Sequence, residues 1–138
     1  MHPQRIGHGW DLHRLAPNPP QGDGRPMRLG GVALDSPAGP VAHSDGDALL
    51  HAITDALLAA AGLDDLGTTW PDTDAAHDGA DSGAFLQAAA RALRQHGWEV
   101  GNISATVVCE APKIGPHREA MQERIADLLD IDIGAISV

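Results

Sequence analysis

The order of apolar and polar residues divides the chain into strand-like and helix-like segments. Strand-like segments alternate apolar and polar residues or form short apolar runs between turn residues, whereas helix-like segments repeat apolar residues every three or four positions. Strands are predicted at residues 5–12, 27–34, 103–109 and from 136 onward. Helices are predicted at residues 48–61, 82–96 and 116–129.

Residues with strong end preferences mark where these helices start and stop. Asp47 precedes the first helix and Gly62 follows it, and both residue types favour those positions. Ser82 is the predicted cap of the second helix, which Gly97 ends. Pro116 suits the first turn of the third helix. These end signals agree with the apolar spacing.

The segments together predict a single α+β domain over residues 1–138, in which helices cover one face of a sheet of about four strands. The first two strands are expected to form an antiparallel pair. Between the first two helices, residues 64–81 are rich in Asp and Gly and too long for a simple turn. We interpret this segment as a functional loop, and we hypothesise that it moves over a functional site.

The charge of the chain restricts its partners. A net charge of −10, with nine scattered Lys and Arg residues, argues against nucleic-acid binding. An acidic protein can still bind a phosphorylated small molecule if local cations or bound metal ions reverse the field inside a pocket. We therefore expect a small-molecule ligand and no nucleic acid.

Cysteine content and hydropathy exclude further classes. Cys109 is the single cysteine, so an intrachain disulfide and a cysteine-rich zinc site are excluded, and histidine and carboxylate remain as metal ligands. We expect Cys109 to be a buried small apolar residue. No apolar run approaches the roughly 18 residues of a membrane span, and the N-terminus lacks the apolar stretch of a secretory signal. We expect no membrane contact and a cytoplasmic location.

Histidine and acidic side chains concentrate at two places that could form a site. Asp11 and His13 are two positions apart and share one side of an extended segment. On the first helix, His51 shares a face with Asp47 and Asp55, four residues before and after it. Such faces indicate a metal site or a charge relay. They are also compatible with ordinary polar residues at a strand end and a capped helix histidine.

Short motifs throughout the chain resemble those of one enzyme family. The resemblance lies first in RIGHGWDLH at residues 5–13, AHSDGD at 42–47 and LHAITDAL at 50–57. It continues with DLG at 65–67, WPDTD at 70–74, GADS at 79–82, APK at 111–113 and PH at 116–117. In this order, over nearly the whole chain, the motifs are similar to those of the 2-C-methyl-D-erythritol 2,4-cyclodiphosphate synthase family.

The resemblance implies a metal centre. Asp11, His13 and His51 would supply one carboxylate oxygen and two imidazole nitrogens to a zinc ion or another divalent metal, with the fourth position open to a substrate phosphate. A magnesium or manganese ion would bind the substrate diphosphate. Asp55, one helical turn from His51, would fix the tautomer of that histidine from outside the ligand set.

The resemblance also implies roles for residues around the centre. His43 is the candidate catalytic residue, because it would donate to a phosphate oxygen and help orient the attacking group. The implied substrate-binding residues are Ser44, Asp65, Gly67, Asp72, Cys109, Ala111, Pro112, Lys113 and Ile114. Residues 111–114 would form a cytidine pocket. Simpler interpretations exist for three of these residues. His43 could be a loop histidine bound to the backbone, Asp72 could belong to a hydrated acidic loop, and Lys113 could be a solvated strand-end lysine.

The implied reaction converts 4-diphosphocytidyl-2-C-methyl-D-erythritol 2-phosphate to the 2,4-cyclodiphosphate and releases CMP, in the non-mevalonate isoprenoid pathway. The family assembles as a homotrimer with active sites between subunits. Two other functions remain open, a phosphohydrolase that activates water at the same Asp-His-His centre and a non-catalytic zinc-stabilised trimer that binds cytidine nucleotides. The family continues beyond the strand at 136 with a Thr- and Glu-containing segment for the diphosphate, so the domain is expected to be C-terminally incomplete.

Overall fold

A computed structural model describes residues 3–71 and 75–138 of the chain. Over these residues it contains four α-helices, three of them long. They are α1, Ala48–Ala61; α2, Leu66–Thr69; α3, Ser82–Gln95; and α4, Arg118–Leu129. Single 3-10 turns occupy Ala75–His77, Gly115–His117 and Ile133–Ala135. The long helices confirm those predicted from apolar spacing, and none of the described helices is long and apolar enough to cross a bilayer.

Strands in the described ranges are short and form three separate pairs. β1 (Leu15–Pro17) runs antiparallel to β4 (Ala38–Pro40), and β2 (Arg28–Leu29) runs antiparallel to β3 (Val32–Ala33). β5 (Ile103–Ser104) runs parallel to β6 (Ile136–Ser137). The mixed α/β class is confirmed. The expected sheet of about four strands is wrong for the described residues, because each ladder ends after two or three residue pairs.

The first two predicted strands do not pair with each other. Residues 5–12 lie outside the strand pairs, and β1 begins only at Leu15 and pairs with β4. Residues 27–34 instead fold back on themselves as the β2–β3 hairpin. Gly30 and Gly31 form its two-residue loop with φ values of 61° and 74°, a left-handed conformation that glycine adopts without steric cost.

A buried carboxylate joins this hairpin to the start of α1. Asp47 caps α1 by accepting from the backbone N–H of Leu50 at 3.0 Å, and it also accepts from Gly30 at 2.9 Å and Gly31 at 2.6 Å. Burial raises the pKa of Asp47, while its three backbone donors act against that rise. Gly62 ends α1 in the left-handed conformation, as predicted.

The start of α3 differs from the prediction by one residue. Asp81 is the N-cap, because its carboxylate accepts from the backbone N–H of Gly83 at 2.9 Å. Ser82, predicted as the cap, is the first helical residue and is fully buried. Its hydroxyl is therefore available for contacts inside the protein.

The core lies between the apolar faces of α1, α3 and α4, with β2, β5 and β6 packed against them. Burial of each such Leu, Ile or Met side chain is worth about 1.5–3 kcal/mol. The large aliphatic side chains that are fully buried in the described residues are Leu50, Leu86, Met121, Ile125 and Leu129. Cys109 is exposed, so its expected burial is wrong. Ala105 and Val107 after β5 still pack partly against the core, but the chain then leaves it, and Val108 is exposed as well.

Candidate metal centre

Two glycines bring the N-terminal segment against the small-residue face of α1. A Cβ on Gly7 would lie 1.7 Å from the carbonyl oxygen of Ala56, and a Cβ on Gly9 would lie 2.1 Å from that of Ala52. No side chain fits in these gaps, so glycine is required for backbone and helix to come this close. The two contacts lie one turn apart on α1, at Ala56 and Ala52, so the residues that follow Gly9 come next to His51.

The structure brings Asp11, His13 and His51 together. The Oδ2 atom of Asp11 lies 2.9 Å from Nε2 of His13 and 3.0 Å from Nδ1 of His51. The two histidine nitrogens are 3.4 Å apart. Asp11 and His13 are half-buried and His51 is buried. His51 is 38 positions from His13 and 40 from Asp11, yet the three side chains direct their ligand atoms to one point.

The neighbouring imidazoles keep Asp11 in its charged form. Burial raises the pKa of Asp11, but the hydrogen bonds and charges of His13 and His51 lower it by more. The net result is a pKa well below the usual range of an aspartate. An ionised carboxylate is the form that binds a metal ion.

The donor set fits a divalent ion of the zinc type. One carboxylate oxygen and two imidazole nitrogens are ligands that zinc accepts, and a three-residue set leaves one position open. Ligand atoms that lie roughly 2.0–2.1 Å from a tetrahedral ion are about 3.3 Å apart. The three distances of 2.9, 3.0 and 3.4 Å are close to that spacing. Little movement of the side chains is needed for all three to bind one ion.

The second nitrogen of His51 contacts two hydroxyl groups. Nε2 lies 2.7 Å from Oγ of Ser82 and 3.2 Å from Oγ of Ser44. Ser82 in turn donates both its hydroxyl and its backbone N–H to the carboxylate of Asp45. No sequence pattern indicates this link, because 37 positions separate Asp45 and Ser82 and no spacing rule joins them.

Asp55 makes a different contact from the one expected. Its carboxylate accepts from the backbone N–H of Leu66 at 2.8 Å and so holds the start of α2. The contacts at both ring nitrogens of His51 come from Asp11, His13, Ser44 and Ser82. The hydroxyl groups of Ser44 and Ser82 therefore make the contact to Nε2 of His51 that was expected from Asp55. They can do so because the loop before α1 and the start of α3 lie next to this nitrogen.

An arginine holds the loop that carries His43. The backbone carbonyl of His43 accepts from the guanidinium of Arg25 at 3.0 Å and from the N–H of Gly79 at 2.8 Å. Arg25 also binds the carbonyl of Ala42 at 2.7 Å and Asp78 at 2.5 Å. These bonds fasten residues 42–43 to the far end of the polar segment after α1.

Three of the predicted substrate-binding residues belong to that polar segment. Asp65 caps α2 by accepting from the backbone N–H of Thr68 at 2.7 Å, and its hydrogen bonds to Thr68 lower its pKa. Gly67 lies exposed in the same short helix, and Asp72 is outside the described residues. Trp70 follows, with its ring centroid 5.1 Å from that of Phe85. Phe85 lies 6.4 Å from the ring of His51, so α2 is attached near the centre.

The predicted cytidine pocket is a surface loop after β5. Cys109, Ala111 and Lys113 are exposed, whereas Pro112 and Ile114 are partly buried. The thiol of Cys109 contacts the carbonyl of Pro112 at 3.5 Å, and Ile114 packs against the core. The role of this loop in substrate binding stays a prediction.

Comparison with known proteins gives one consistent result. The model of the YgbB family matches residues 4–138. The chain is 52% identical over 128 residues to the 2-C-methyl-D-erythritol 2,4-cyclodiphosphate synthase of Gemmatimonas aurantiaca, covering 93% of this chain and 74% of the relative. It is 50% identical to the synthase of the same name from Xanthomonas axonopodis pv. citri, with 97% and 77% covered.

A solved structure agrees with these relatives. It is a 2C-methyl-D-erythritol-2,4-cyclodiphosphate synthase in a form bound to CDP, with a TM-score of 0.85 and 42% sequence identity. The match covers 96% of this chain and 85% of the solved chain. The likeness therefore extends over nearly the whole chain.

Proposed function

The chain belongs to the YgbB family, and on that premise we propose that it is a synthase of 2-C-methyl-D-erythritol 2,4-cyclodiphosphate. The proposed substrate is 4-diphosphocytidyl-2-C-methyl-D-erythritol 2-phosphate. Its 2-phosphate attacks the β-phosphorus, the cyclic diphosphate closes, and CMP leaves. The observation that carries the proposal is the preformed cluster of Asp11, His13 and His51.

The reaction needs positioning and charge neutralisation more than a protein nucleophile. Asp11, His13 and His51 would hold a divalent ion, which we propose to be zinc, and it would supply positive charge beside a substrate phosphate. A magnesium or manganese ion bound with the substrate would neutralise charge on its diphosphate. His43 is proposed to donate to a phosphate oxygen, on a loop that Arg25 and Gly79 hold through its backbone carbonyl.

The remaining proposed contacts come from two segments. Ser44, Asp65, Gly67 and Asp72 are assigned to the substrate side of the metal centre. Cys109 and residues 111–114 are assigned to the cytidine base. The exposure of Cys109, Ala111 and Lys113 is compatible with binding of a ligand at the surface or between subunits.

We propose that the active form is a homotrimer. Ile6, Trp10 and Leu12 are 97%, 72% and 79% exposed, on the same segment that turns Asp11 and His13 inward. A row of large apolar side chains at the surface favours burial against another subunit. Such packing would cover the outer side of the metal centre. The cytoplasm is the proposed location, since the substrate is a charged, water-soluble metabolite.

The direct test is product analysis with the purified protein. We expect incubation with the diphosphocytidyl substrate, zinc and magnesium to give equal amounts of CMP and the cyclic diphosphate by mass spectrometry. A chelator should abolish both products, because the ligand set would lose its ion. Asp11→Asn should do the same, whereas Asp35→Asn, a matched change at an exposed carboxylate, should retain turnover.

Other outcomes separate the rival functions. Release of inorganic phosphate without CMP would identify a metal-dependent phosphohydrolase. Binding of CDP without turnover, under conditions in which zinc is bound, would identify a non-catalytic nucleotide-binding protein. Either result contradicts the proposed synthase activity.

A further inference from the structure

The two ring nitrogens of His51 face different surroundings. Nδ1 faces Asp11 and His13, the other two residues of the metal centre. Nε2 faces the interior, where Ser82 is fully buried and Ser44 is nearly so. A neutral imidazole carries one proton, so these surroundings decide which nitrogen has a free lone pair.

The proton positions follow from the contacts of Ser82. The hydroxyl of Ser82 has one proton, and this hydroxyl is hydrogen-bonded to Oδ1 of Asp45. An ionised carboxylate can only accept, so Ser82 donates its proton to Asp45 and keeps only lone pairs for His51. At 2.7 Å from those lone pairs, Nε2 must be the protonated nitrogen.

We propose that Asp45 and Ser82 form a positioning pair that makes Nδ1 of His51 the metal-binding nitrogen. Asp45 orients the hydroxyl of Ser82, the hydroxyl accepts the Nε2 proton, and the lone pair of Nδ1 is left for a metal ion that Asp11 and His13 would also bind. Ser44 supports the same arrangement as a second acceptor at 3.2 Å. The inference rests on the proposed metal site and adds two residues that determine its affinity.

The same contacts also join two parts of the fold, and a test must separate this from metal binding. Asp45 accepts from the backbone N–H groups of Asp47 at 3.1 Å and Ser82 at 3.0 Å, so it links the loop before α1 to the start of α3. Removal of either side chain will therefore cost stability. The control must lose a buried hydroxyl of similar structural value without touching His51.

Thr54 provides that control. It lies on α1 and is fully buried, and its hydroxyl donates to the carbonyl of Leu50 at 2.7 Å. Thr54→Val removes the hydroxyl and keeps the shape of the side chain. Zinc affinity is measured by competition with a chromophoric chelator for the wild type, Ser82→Ala and Thr54→Val, at a temperature where all three are folded by circular dichroism.

We expect Ser82→Ala to weaken zinc binding by about 10- to 100-fold, the usual effect of losing a partner that orients a ligating histidine. Thr54→Val should stay within about threefold of the wild type, since it does not act through His51. Equal affinity of Ser82→Ala and the wild type would overturn the proposal, as would an equal loss in both variants. If the wild type binds no zinc, the proposed metal site itself is wrong.

The proton on His51 can be read in the wild type, which keeps the proposal testable if Ser82→Ala does not fold. Without metal the carboxylate of Asp11 also faces Nδ1 as an acceptor, so the measurement is made with zinc bound. Nitrogen-15 NMR of the zinc-bound wild type should show zinc on Nδ1 of His51 and an Nε2 proton that exchanges slowly with water. Zinc on Nε2, or an Nε2 proton that exchanges as fast as that of an exposed imidazole, would overturn the assignment. In Asp45→Asn the neutral amide accepts the Ser82 proton more weakly than a carboxylate does, so the hydroxyl is held less firmly as an acceptor for Nε2 and zinc affinity should fall.

A double variant tests whether the two residues act as one unit. If Asp45 acts through Ser82, the zinc affinity of Asp45→Asn with Ser82→Ala should match that of Ser82→Ala alone, within about twofold. Losses that multiply would show that the two side chains act independently, and would contradict the pair.

Discussion

The two halves of the metal centre are held in different ways. His51 belongs to α1, and its contacts to Ser44 and Ser82 are buried in the protein interior. Asp11 and His13 belong to a segment outside the strand pairs. That segment is fastened by the glycine contacts to α1 and by Arg5, which binds the carbonyl of Ala60 at 3.2 Å and stacks 4.2 Å over Trp98.

This difference separates what the core determines from what binding completes. His51, the helix half of the centre, keeps its geometry as long as α1 and α3 pack together. Asp11 and His13, the segment half, depend on local contacts, on the bound ion and on whatever covers the exposed apolar side chains of their segment.

Leucine truncations should separate the two halves most clearly. Leu50→Ala, in the fully buried core beside His51, should lower the free energy of unfolding by about 2–5 kcal/mol. Leu12→Ala, at a largely exposed position next to Asp11, should change it by about 0.5 kcal/mol or less. Urea unfolding at a concentration where the protein is monomeric measures both. Similar losses would mean that the segment is as deeply integrated as the core.

Removal of the metal should affect the segment half first. Zinc at 100 times its dissociation constant stabilises the folded state by about 2.7 kcal/mol, and a chelator should remove this contribution. Amide hydrogen exchange should then accelerate in residues 5–14 more than in α1, because the helix keeps its core contacts. Faster exchange in α1 than in the segment would contradict the contrast.

A side chain on the segment should detach it from α1. Gly9→Val places a Cβ within 2.1 Å of the carbonyl oxygen of Ala52, and such overpacking costs about 1–3 kcal/mol. Zinc binding should weaken while the helical circular dichroism signal is retained. Gly101→Val is the matched control, since no atom lies within 4 Å of its Cβ position. Unchanged zinc affinity in Gly9→Val would show that Asp11 and His13 can reach His51 without the close contact at Gly9.

The smallest expected effect is the pH dependence of the metal-free protein. Because the folded-state pKa of Asp11 is lowered, this residue contributes stability above its unfolded pKa. That contribution is lost as the pH falls from about 4 through the folded-state value. Asp11→Asn should therefore show a weaker loss of stability on acidification than the wild type, by denaturant titration below pH 4. Identical slopes would mean that the contacts of Asp11 do not hold the segment without metal.

Features that depend on neighbours in sequence were predicted well. The spacing of Leu50, Ile53 and Leu57 defines α1, and Asp47 and Gly62 mark its ends, because caps and helix periodicity are local properties. The meeting of Asp11, His13 and His51 was predicted from motifs of a resembled family. Their actual approach depends on Gly7 and Gly9, which the strand interpretation treated as interruptions.

Features that join distant parts of the chain were missed for a physical reason. Asp45 and Ser82 are both common helix-start residues, and local preference explains each of them without the other. Only the packing of α1 against α3 places the hydroxyl of Ser82 between Asp45 and His51. The same applies to Arg25, whose partners Ala42, His43 and Asp78 are brought to it by the folding of two loops.

The buried Asp47 has a consequence for how this protein tolerates change over evolution. Its carboxylate binds the hairpin loop at Gly30 and Gly31 and the first turn of α1 together. The intervening residues 32–46 thus form a closed loop whose two ends are fixed to each other. Residues can be inserted or lost at its exposed turn, residues 35–37, without moving the start of α1. His51 keeps its place one turn into the helix, so sequence drift in that turn is uncoupled from the metal centre.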